Sequence, residues 1–227
     1  MPNYIIGPPL RSFPLNESYM FMKEKYVVLN YPLGEEKKDI INGPNRIIDG
    51  FPILANTIFE NGIDCAFDIK HNKAFIFSGN QCAKIKYAPH STDSRLLSGP
   101  IPIVAMFPCL EGTVFENGVD TAINFLEKHV HIFKGDETAL LNHDTKDFCE
   151  TSKFALNHLS CLFGTVSESG IDAAFASHIE HEAYIFKGDY YAHINIAGFG
   201  PRSDYIVGGR INRTSDDWPA LHGMFQY

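Results

Sequence analysis

The sequence predicts an all-β fold, a four-bladed β-propeller in which each blade has about four antiparallel strands and a short helix. Two repeated patterns predict it. The string Gly-Ile/Val-Asp-x-Ala occurs three times, with its aspartates at positions 64, 120 and 172. A strand rich in aromatic residues, followed by a tight turn, occurs four times. One such unit of about 50–60 residues cannot bury both faces of its strands, so the units must pack against one another around a common axis.

Each of the last three units opens on a Thr-led segment that ends in Gly, at 57–62, 113–118 and 165–170. The Asp motif follows directly and is predicted to be the innermost strand, because its small residues suit strands that converge on an axis. These boundaries divide the chain into a single domain, 1–227, with blades at about 4–56, 57–112, 113–164 and 165–227.

The next element of each unit is a hairpin. Its first strand is aromatic and its turn carries Gly in three of the four copies, as in Phe133-Lys134-Gly135-Asp136. Aromatic and β-branched residues favour strands, and Gly supplies the positive φ of a tight turn. Second strands are predicted at 26–29, 82–85, 138–141 and 191–194.

An outer strand and a helical turn close the unit. The outer strands are predicted to end at Asn42-Gly43-Pro44, Ser98-Gly99-Pro100 and Gly208-Gly209. A short helix then precedes an aromatic or aliphatic anchor, which is followed by Pro in three copies, as in Phe51-Pro52 and Trp218-Pro219. Trp218 is therefore expected to fill the core in the same way as Phe51 and Phe107.

Composition excludes several classes of function. The 227 residues carry a formal net charge of −8, which argues against a nucleic-acid backbone or an anionic membrane as the main partner. No secretory leader and no run of about 20 apolar residues is visible. The five cysteines form no CxxC pair and are expected to be reduced, which indicates the cytosol. No GxSxG, P-loop or HExxH motif is present, so no enzyme is predicted.

A ring of inner strands would aim main-chain carbonyl oxygens at the axis, and such a ring suits a hard cation, since Ca²⁺ takes 6–8 oxygen ligands. A second interpretation of each Asp stays open: its side chain caps a turn at the start of the strand and binds nothing.

The four ordered repeats resemble hemopexin repeats, and more closely those of the legume seed albumin-2 group. Thr113-Val114-Phe115-Glu116-Asn117-Gly118 and the segment 172–178 carry this resemblance, which extends from about Tyr4 to Leu221. Secreted hemopexin proteins join their first and last blades by a disulfide. Because no cysteine precedes Cys65 or follows Cys161, closure here is expected to depend on packing and strand pairing of the chain ends.

The resemblance implies structural calcium, sodium and chloride along the channel, held mainly by main-chain carbonyls. The calcium layer carried over to this chain is Gly7, Asp64, Asp120 and Asp172. The sodium layer is Pro9, Ala66, Ala122 and Ala174. In the first unit Gly7-Pro8-Pro9 replaces the family's Asx-Ala-Ala, and the two prolines lack N–H groups. The carbonyl assignment therefore rests more firmly on the other three units.

The resemblance also implies a cytosolic seed storage protein, with spermine and haem as ligands linked to polyamine metabolism and oxidative stress, and a homodimer. No compact acidic and aromatic cluster identifies a spermine site. His129 and His131 share one strand face and could bind a metal, although a solvated face is the stronger interpretation. A carbohydrate-binding lectin with agglutinating activity is the alternative, and a purely structural store with incidental ion binding is the third class.

Overall fold

The fold, in a computed structural model, consists of four antiparallel sheets that follow one another along the chain. The structure describes residues 5–6, 17–31, 38–124, 128–153, 159–177, 179, 181–196 and 204–221. The chain is all-β, as predicted, and its helices are short.

Strand order within each sheet follows the sequence, from the inner strand to the outer one. The first sheet is β1 (Ile5–Ile6), β2 (Glu17–Met22), β3 (Lys25–Asn30) and β4 (Asp39–Arg46). The second is β5 (Cys65–Ile69), β6 (Lys73–Ser78), β7 (Gln81–Lys86) and β8 (Arg95–Pro102). The third is β9 (Thr121–Ile123), β10 (His129–Lys134), β11 (Glu137–Asn142) and β12 (Phe148–Lys153). The fourth is β13 (Ala173–Ala176), β14 (Glu182–Lys187), β15 (Tyr190–Ile196) and β16 (Asp204–Ile206), and β17 (Asn212–Arg213) also pairs with β15.

Short helices follow the outer strands of three sheets: α1 (Ile47–Gly50), α2 (Ile103–Met106) and α3 (Thr214–Asp217). A 3-10 turn then begins at the predicted proline, at Pro52–Leu54, Pro108–Leu110 and Pro219–Leu221, and a matching turn lies at Ser160–Leu162. The Thr-led segments form further 3-10 turns at Ile58–Glu60 and Val114–Asn117, and another 3-10 turn lies at Val207–Gly209.

The outer strands of the first two sheets are longer than predicted. They pass through Gly43-Pro44 and Gly99-Pro100 and end at Arg46 and Pro102. The ladder accommodates the Gly-Pro pairs by shifting register opposite Val28 and Lys84. The prediction that these strands end at Gly-Pro was therefore wrong, because a bulge can absorb a residue that would otherwise end the pairing.

Four hydrophobic cores lie between the sheets. Alternate residues of each strand point to opposite faces, so each sheet contributes to two cores. One core joins the first and second sheets, one the second and third, and one the third and fourth. The last core joins the first sheet to the fourth and contains Met20, Val27 and Tyr31 with Phe175 and Trp218. Trp218 is fully buried there, as Phe107 is in the second sheet.

The inner strands also contact one another. Strand β1 contacts β5 and β13, and β9 contacts the same two strands. None of the described helices has the length and apolar character needed to span a membrane. Four of the five cysteines lie among residues whose side chains are described, and these four are free thiols: Cys65, Cys82, Cys109 and Cys161.

Candidate metal centre

The three motif aspartates start the inner strands, and their carboxylates bind the hairpin turn of their own sheet. Oδ2 of Asp64 accepts from the amide of Gly79 at 2.6 Å. Asp120 accepts from Gly135 and Asp172 from Gly188, both at 2.8 Å. The side chain thus joins the start of the inner strand to a hairpin turn about 15 residues later, whereas the second sequence interpretation had placed the capped turn at the start of the strand.

The main chain bends at each of these aspartates before the strand begins. The Asp64 amide donates to the carbonyl of Phe77 at 2.7 Å, although Cys65 is the residue that faces Phe77 in the ladder. Two residues therefore oppose one, as in a β-bulge, whose first residue lies near the α region. In that region the N–H and C=O of one residue point in opposite directions, and this conformation at Asp64 would turn its carbonyl away from β6. The amides of Asp120 and Asp172 make the same bond, to Phe133 and Phe186.

Two contacts between inner strands show which main-chain edge faces the neighbouring sheets. The Ala174 amide donates to Oγ1 of Thr121 on β9 at 3.0 Å, and both residues are fully buried. The carbonyl of Asp68 on β5 accepts from Nδ2 of Asn124, just after β9, at 2.8 Å. In an extended strand the N–H and C=O of one residue, and of residues two apart, share an edge. The carbonyls of Ala174 and Ala66 therefore lie on the edge that faces the other inner strands.

The glycine before each Asp packs against the hairpin turn of the preceding sheet. A Cβ on Gly170 would lie 2.5 Å from the Gly135 carbonyl oxygen, and one on Gly118 would lie 3.2 Å from that of Gly79. Their φ angles, 126° and 138°, also favour glycine. Close contact between sheets at this level thus fixes the spacing of the bends.

The electrostatics differ between the three units. Nζ of Lys187 lies 2.7 Å from Oδ1 of Asp172, and Nζ of Lys134 lies 3.5 Å from Oδ1 of Asp120. Ser78 occupies the corresponding position beside Asp64. Burial raises the pKa of the neighbouring Cys65 thiol well above its usual value, so this group stays protonated and is a poor metal ligand.

Side-chain clusters offer no alternative centre in the described part of the chain. No group of three or more His, Cys, Asp or Glu side chains there could hold a metal ion. His129 lies 3.4 Å from the amide nitrogen of Asn142, and the ring of His131 stacks on Phe133. A cation bound within the described part of the chain would therefore need main-chain oxygens as ligands.

The first unit is described only in part. Gly7 and Pro9 lie outside the described residues. Strand β1 pairs Ile5 with Phe21 and Ile6 with Met20, whereas β5 pairs Cys65 with Phe77 and Ala66 with Ile76. Phe21 and Phe77 hold the same place before their turns. This register puts the Ile6 main chain level with Ala66.

The comparisons with known proteins agree on one group. The chain is 43% identical over 222 residues to Albumin-2 of Pisum sativum, with 96% of this chain and 95% of that protein covered. It is 40% identical over 223 residues to Albumin-2 of Lathyrus sativus, with 97% and 96% covered. No protein-family model matches the chain.

Solved structures give the same result. A plant albumin from Cicer arietinum, described as showing hemagglutination, has a TM-score of 0.88 and 44% identity over 100% of this chain and 99% of that one. A plant lectin with two metal binding sites, also from Cicer arietinum, has a TM-score of 0.90 and 41% identity over 100% and 99%. The hemopexin fold protein CP4 from cow pea has a TM-score of 0.90 and 40% identity over all of both chains.

Proposed function

Because the chain belongs to the albumin-2 family of legume seed proteins, we propose that it is a non-enzymatic seed storage albumin with a cation-binding channel. The four sheets are blades of a propeller, with boundaries at about 4–56, 57–112, 113–164 and 165–227. The cyclic contacts of the inner strands and the four cores between sheets support this arrangement. The single domain then spans 1–227.

Two layers of main-chain oxygens hold the cations. Asp64, Asp120 and Asp172 form the calcium layer, and Ala66, Ala122 and Ala174 form the sodium layer two residues further along each strand. The observation that carries this assignment is the Ala174 amide on Thr121, which turns the alanine edge toward the neighbouring inner strand. The bend at each Asp supports a carbonyl that points away from its own sheet. When bound, the ions would neutralise the carbonyl dipoles that converge there.

The first unit completes each layer. The sequence pattern assigns its ligands to Gly7 and Pro9, and the register of β1 favours the Ile6 carbonyl at the alanine level. A crystal structure of the calcium-soaked protein decides between them, because the fourth oxygen belongs either to Ile6 or to Pro9. Chloride would accompany the cations in the channel.

Removal of metal tests the channel as a whole. Elemental analysis of purified protein should show bound calcium, and a chelator should lower the melting temperature, since a ligand that binds only the folded state stabilises it. Metal-free protein that melts at the same temperature with and without chelator would falsify the channel.

A variant of Asp64 separates carbonyl from carboxylate ligation. Asp64→Asn keeps the main-chain carbonyl and an oxygen that can accept from the Gly79 amide. We expect calcium affinity to fall by less than about ten-fold, through the lost negative charge alone. A calorimetric titration that shows loss of binding would instead assign the carboxylate as the ligand.

Sugar binding with agglutination is the second candidate function. It is favoured by the Cicer arietinum relatives described as hemagglutinating and as a lectin. Agglutination needs at least two sites in one particle, so a homodimer is part of this proposal. Red-cell agglutination that no sugar inhibits would exclude it.

Spermine and haem remain proposed ligands of the storage protein, which we place in the cytosol of the seed. Calorimetric titration with spermine and the Soret band of added hemin test them separately. If neither binds, a structural store with incidental ions is the better description.

A further inference from the structure

A pocket of about 600 Å³ lies on the first sheet, away from the inner strands. Strands β2, β3 and β4, helix α1 and the β7–β8 loop of the second sheet form its walls. This loop is attached to the first sheet at two points. The His90 amide donates to the Tyr19 hydroxyl at 3.4 Å, and its Nε2 lies 2.7 Å from Oε2 of Glu17. The pocket is thus held between two sheets.

The repeat explains why the pocket is open in this sheet. Gly50 ends α1 at the position that Met106 holds in α2, where the Met106 side chain is buried and lies 4.0 Å from Oγ of Ser98. Positions that line the pocket in the first sheet are polar, whereas the equivalent positions in the second sheet are apolar. Tyr26 replaces Cys82, Asn45 replaces Ile101, and Asp49 replaces Ala105.

The fourth sheet fills the same space in another way. Asp217 takes the position of Gly50, and its Oδ2 accepts from the hydroxyl of Tyr191, the counterpart of Tyr26, at 2.5 Å. In the first sheet no carboxylate stands at that position, and the Tyr26 hydroxyl lies directly over Gly50, where a Cβ would meet it at 2.2 Å. The Tyr26 ring therefore takes the space that a side chain at position 50 would fill, and its hydroxyl lies at the pocket wall without the carboxylate partner that Tyr191 has.

The lining offers hydrogen-bond donors and acceptors with little net charge. Asn45 donates from Nδ2 to Oδ1 of Asn42 at 2.8 Å, which leaves the Asn42 amide hydrogens and the Asn45 oxygen to a ligand. Ser91 and Thr92 add hydroxyls on exposed loop positions. Among the described lining residues, Asp49 is the one acidic residue and His90 the one basic residue. A polycation would need more carboxylates than this, whereas a neutral sugar alternates donors and acceptors in the same way as the lining.

We propose that this first-sheet pocket binds a neutral sugar residue through Asn42, Asn45 and Asp49, with the β7–β8 loop as its outer wall. The assignment rests on the proposed sugar binding. With this pocket as the site, cross-linking of cells needs at least two chains in one assembly.

Two substitutions on exposed positions test the pocket without disturbing the core. Asp49→Ala and Asn42→Ala remove polar groups from the lining. Their matched controls are Asp216→Ala, at the same helix position in the fourth sheet, and Ser98→Ala, at the same strand position in the second. Labelled full-length protein is applied to a glycan array, and affinities are measured by calorimetry with D-mannose, D-galactose and N-acetyl-D-glucosamine. Thermal melting verifies that each variant is folded.

We expect Asp49→Ala and Asn42→Ala each to weaken sugar binding at least five-fold, with both controls unchanged. Sugar binding that survives in both pocket variants overturns the pocket and leaves the proposed lectin function intact. Failure of the wild-type protein to retain any glycan overturns both. Spermine binding that is lost in Asp49→Ala, without sugar binding, overturns the sugar assignment and makes the pocket a cation site.

Discussion

At each aspartate of the repeated motif, the side chain and the main chain serve different contacts. The Asp172 carboxylate joins the Gly188 amide and the Lys187 ammonium, while the Asp172 amide joins the Phe186 carbonyl. One carboxylate therefore fixes the strand start relative to its hairpin turn. The carbonyl of the same residue is the ligand that we propose for calcium. This division explains why Asp recurs at these positions even though a carbonyl ligand needs no particular side chain.

The glycine that opens the motif is the residue whose substitution should be costliest for its size. Gly170→Ala places a methyl 2.5 Å from the Gly135 oxygen at φ 126°. We expect a loss of about 3 kcal/mol or more in urea unfolding, because both the backbone angle and the contact are unfavourable. Gly188→Ala is the control, since its φ is 54° and nothing lies within 4 Å of the added carbon. It should cost about 1 kcal/mol. Equal losses in the two variants would contradict close packing at Gly170.

Buried His143 should make stability depend on pH. Its side chain is only 3% exposed, and burial is the main cause that lowers its pKa; Lys84 and His129 act in the same direction, against Asp144. In the unfolded state the pKa of His143 is about 6.5, so just below that pH the unfolded chain binds more protons than the folded one. The free energy of unfolding therefore falls as the pH drops through about 6.5. His193 adds to this effect, because its pKa is also lowered by burial, although Glu182 opposes it.

Replacement of His143 measures its contribution to the pH dependence of the unfolding free energy. His143→Gln should reduce the difference in unfolding free energy between pH 8 and pH 5.5, by up to about 1.4 kcal/mol per pH unit in the affected range. Urea unfolding at both pH values measures this difference. An unchanged pH dependence would mean that His143 is protonated equally in both states.

Among the elements, the Thr-led turns have the most regular local chemistry. Thr113 donates from Oγ1 to the Leu110 carbonyl at 2.7 Å and accepts from the Phe115 amide at 3.2 Å. Three residues later, Glu116 accepts from the Gly112 amide at 2.9 Å. Thr57 with Glu60 and Thr165 with Glu168 make the same bonds. These are reciprocal caps, as in a capping box, applied to the turn that links one sheet to the next.

Removal of the Thr113 hydroxyl tests this link. Thr113→Val keeps the shape of the side chain and loses both hydrogen bonds, so we expect about 1–2 kcal/mol of destabilisation by thermal or urea unfolding. Thr113→Ser keeps the hydroxyl and should retain most of the stability. If Thr113→Val and Thr113→Ser have equal unfolding free energies, the hydroxyl contributes little to stability, and the turn depends on burial of Phe115.

The elements that could be predicted from the sequence are those with local causes. The aromatic strands, the turns at Gly135 and Gly188 and the short helices before Pro52 and Pro108 depend on neighbouring residues, and they lie where the sequence indicated. Other features depend on distant partners. The sequence could not decide whether Asp64 caps a turn, because Gly79 is 15 residues away. Nor could it predict the pocket, because its lining combines residues of the first sheet with His90, Ser91 and Thr92 from a loop of the second.

At the scale of the whole molecule, the first and fourth sheets meet in a shared hydrophobic core. Trp218 is surrounded edge-to-face by Phe175, Tyr184 and Phe186 from the fourth sheet. Lys38, which precedes β4 of the first sheet, places its ammonium 4.3 Å from the centre of the Trp218 ring. Burial lowers the pKa of Lys38, and the nearby Asp217 carboxylate opposes this shift. This contact therefore links the segment that precedes β4 of the first sheet to Trp218, which packs against the fourth sheet.

A double-mutant cycle on Lys38 and Trp218 tests whether the first and fourth sheets are in contact in solution. Trp218→Leu should cost about 3 kcal/mol or more, because it leaves a cavity among buried rings. Lys38→Gln should cost less, and the two losses should differ from additivity by about 0.5–1 kcal/mol, the energy of a partly buried cation–π contact. Lys84 and Phe75 provide the matched control within one sheet, where the ammonium lies 5.0 Å from the ring centre. Coupling in the control pair but not between Lys38 and Trp218 would mean that the first and last sheets separate in solution. Closure of the molecule would then require another contact.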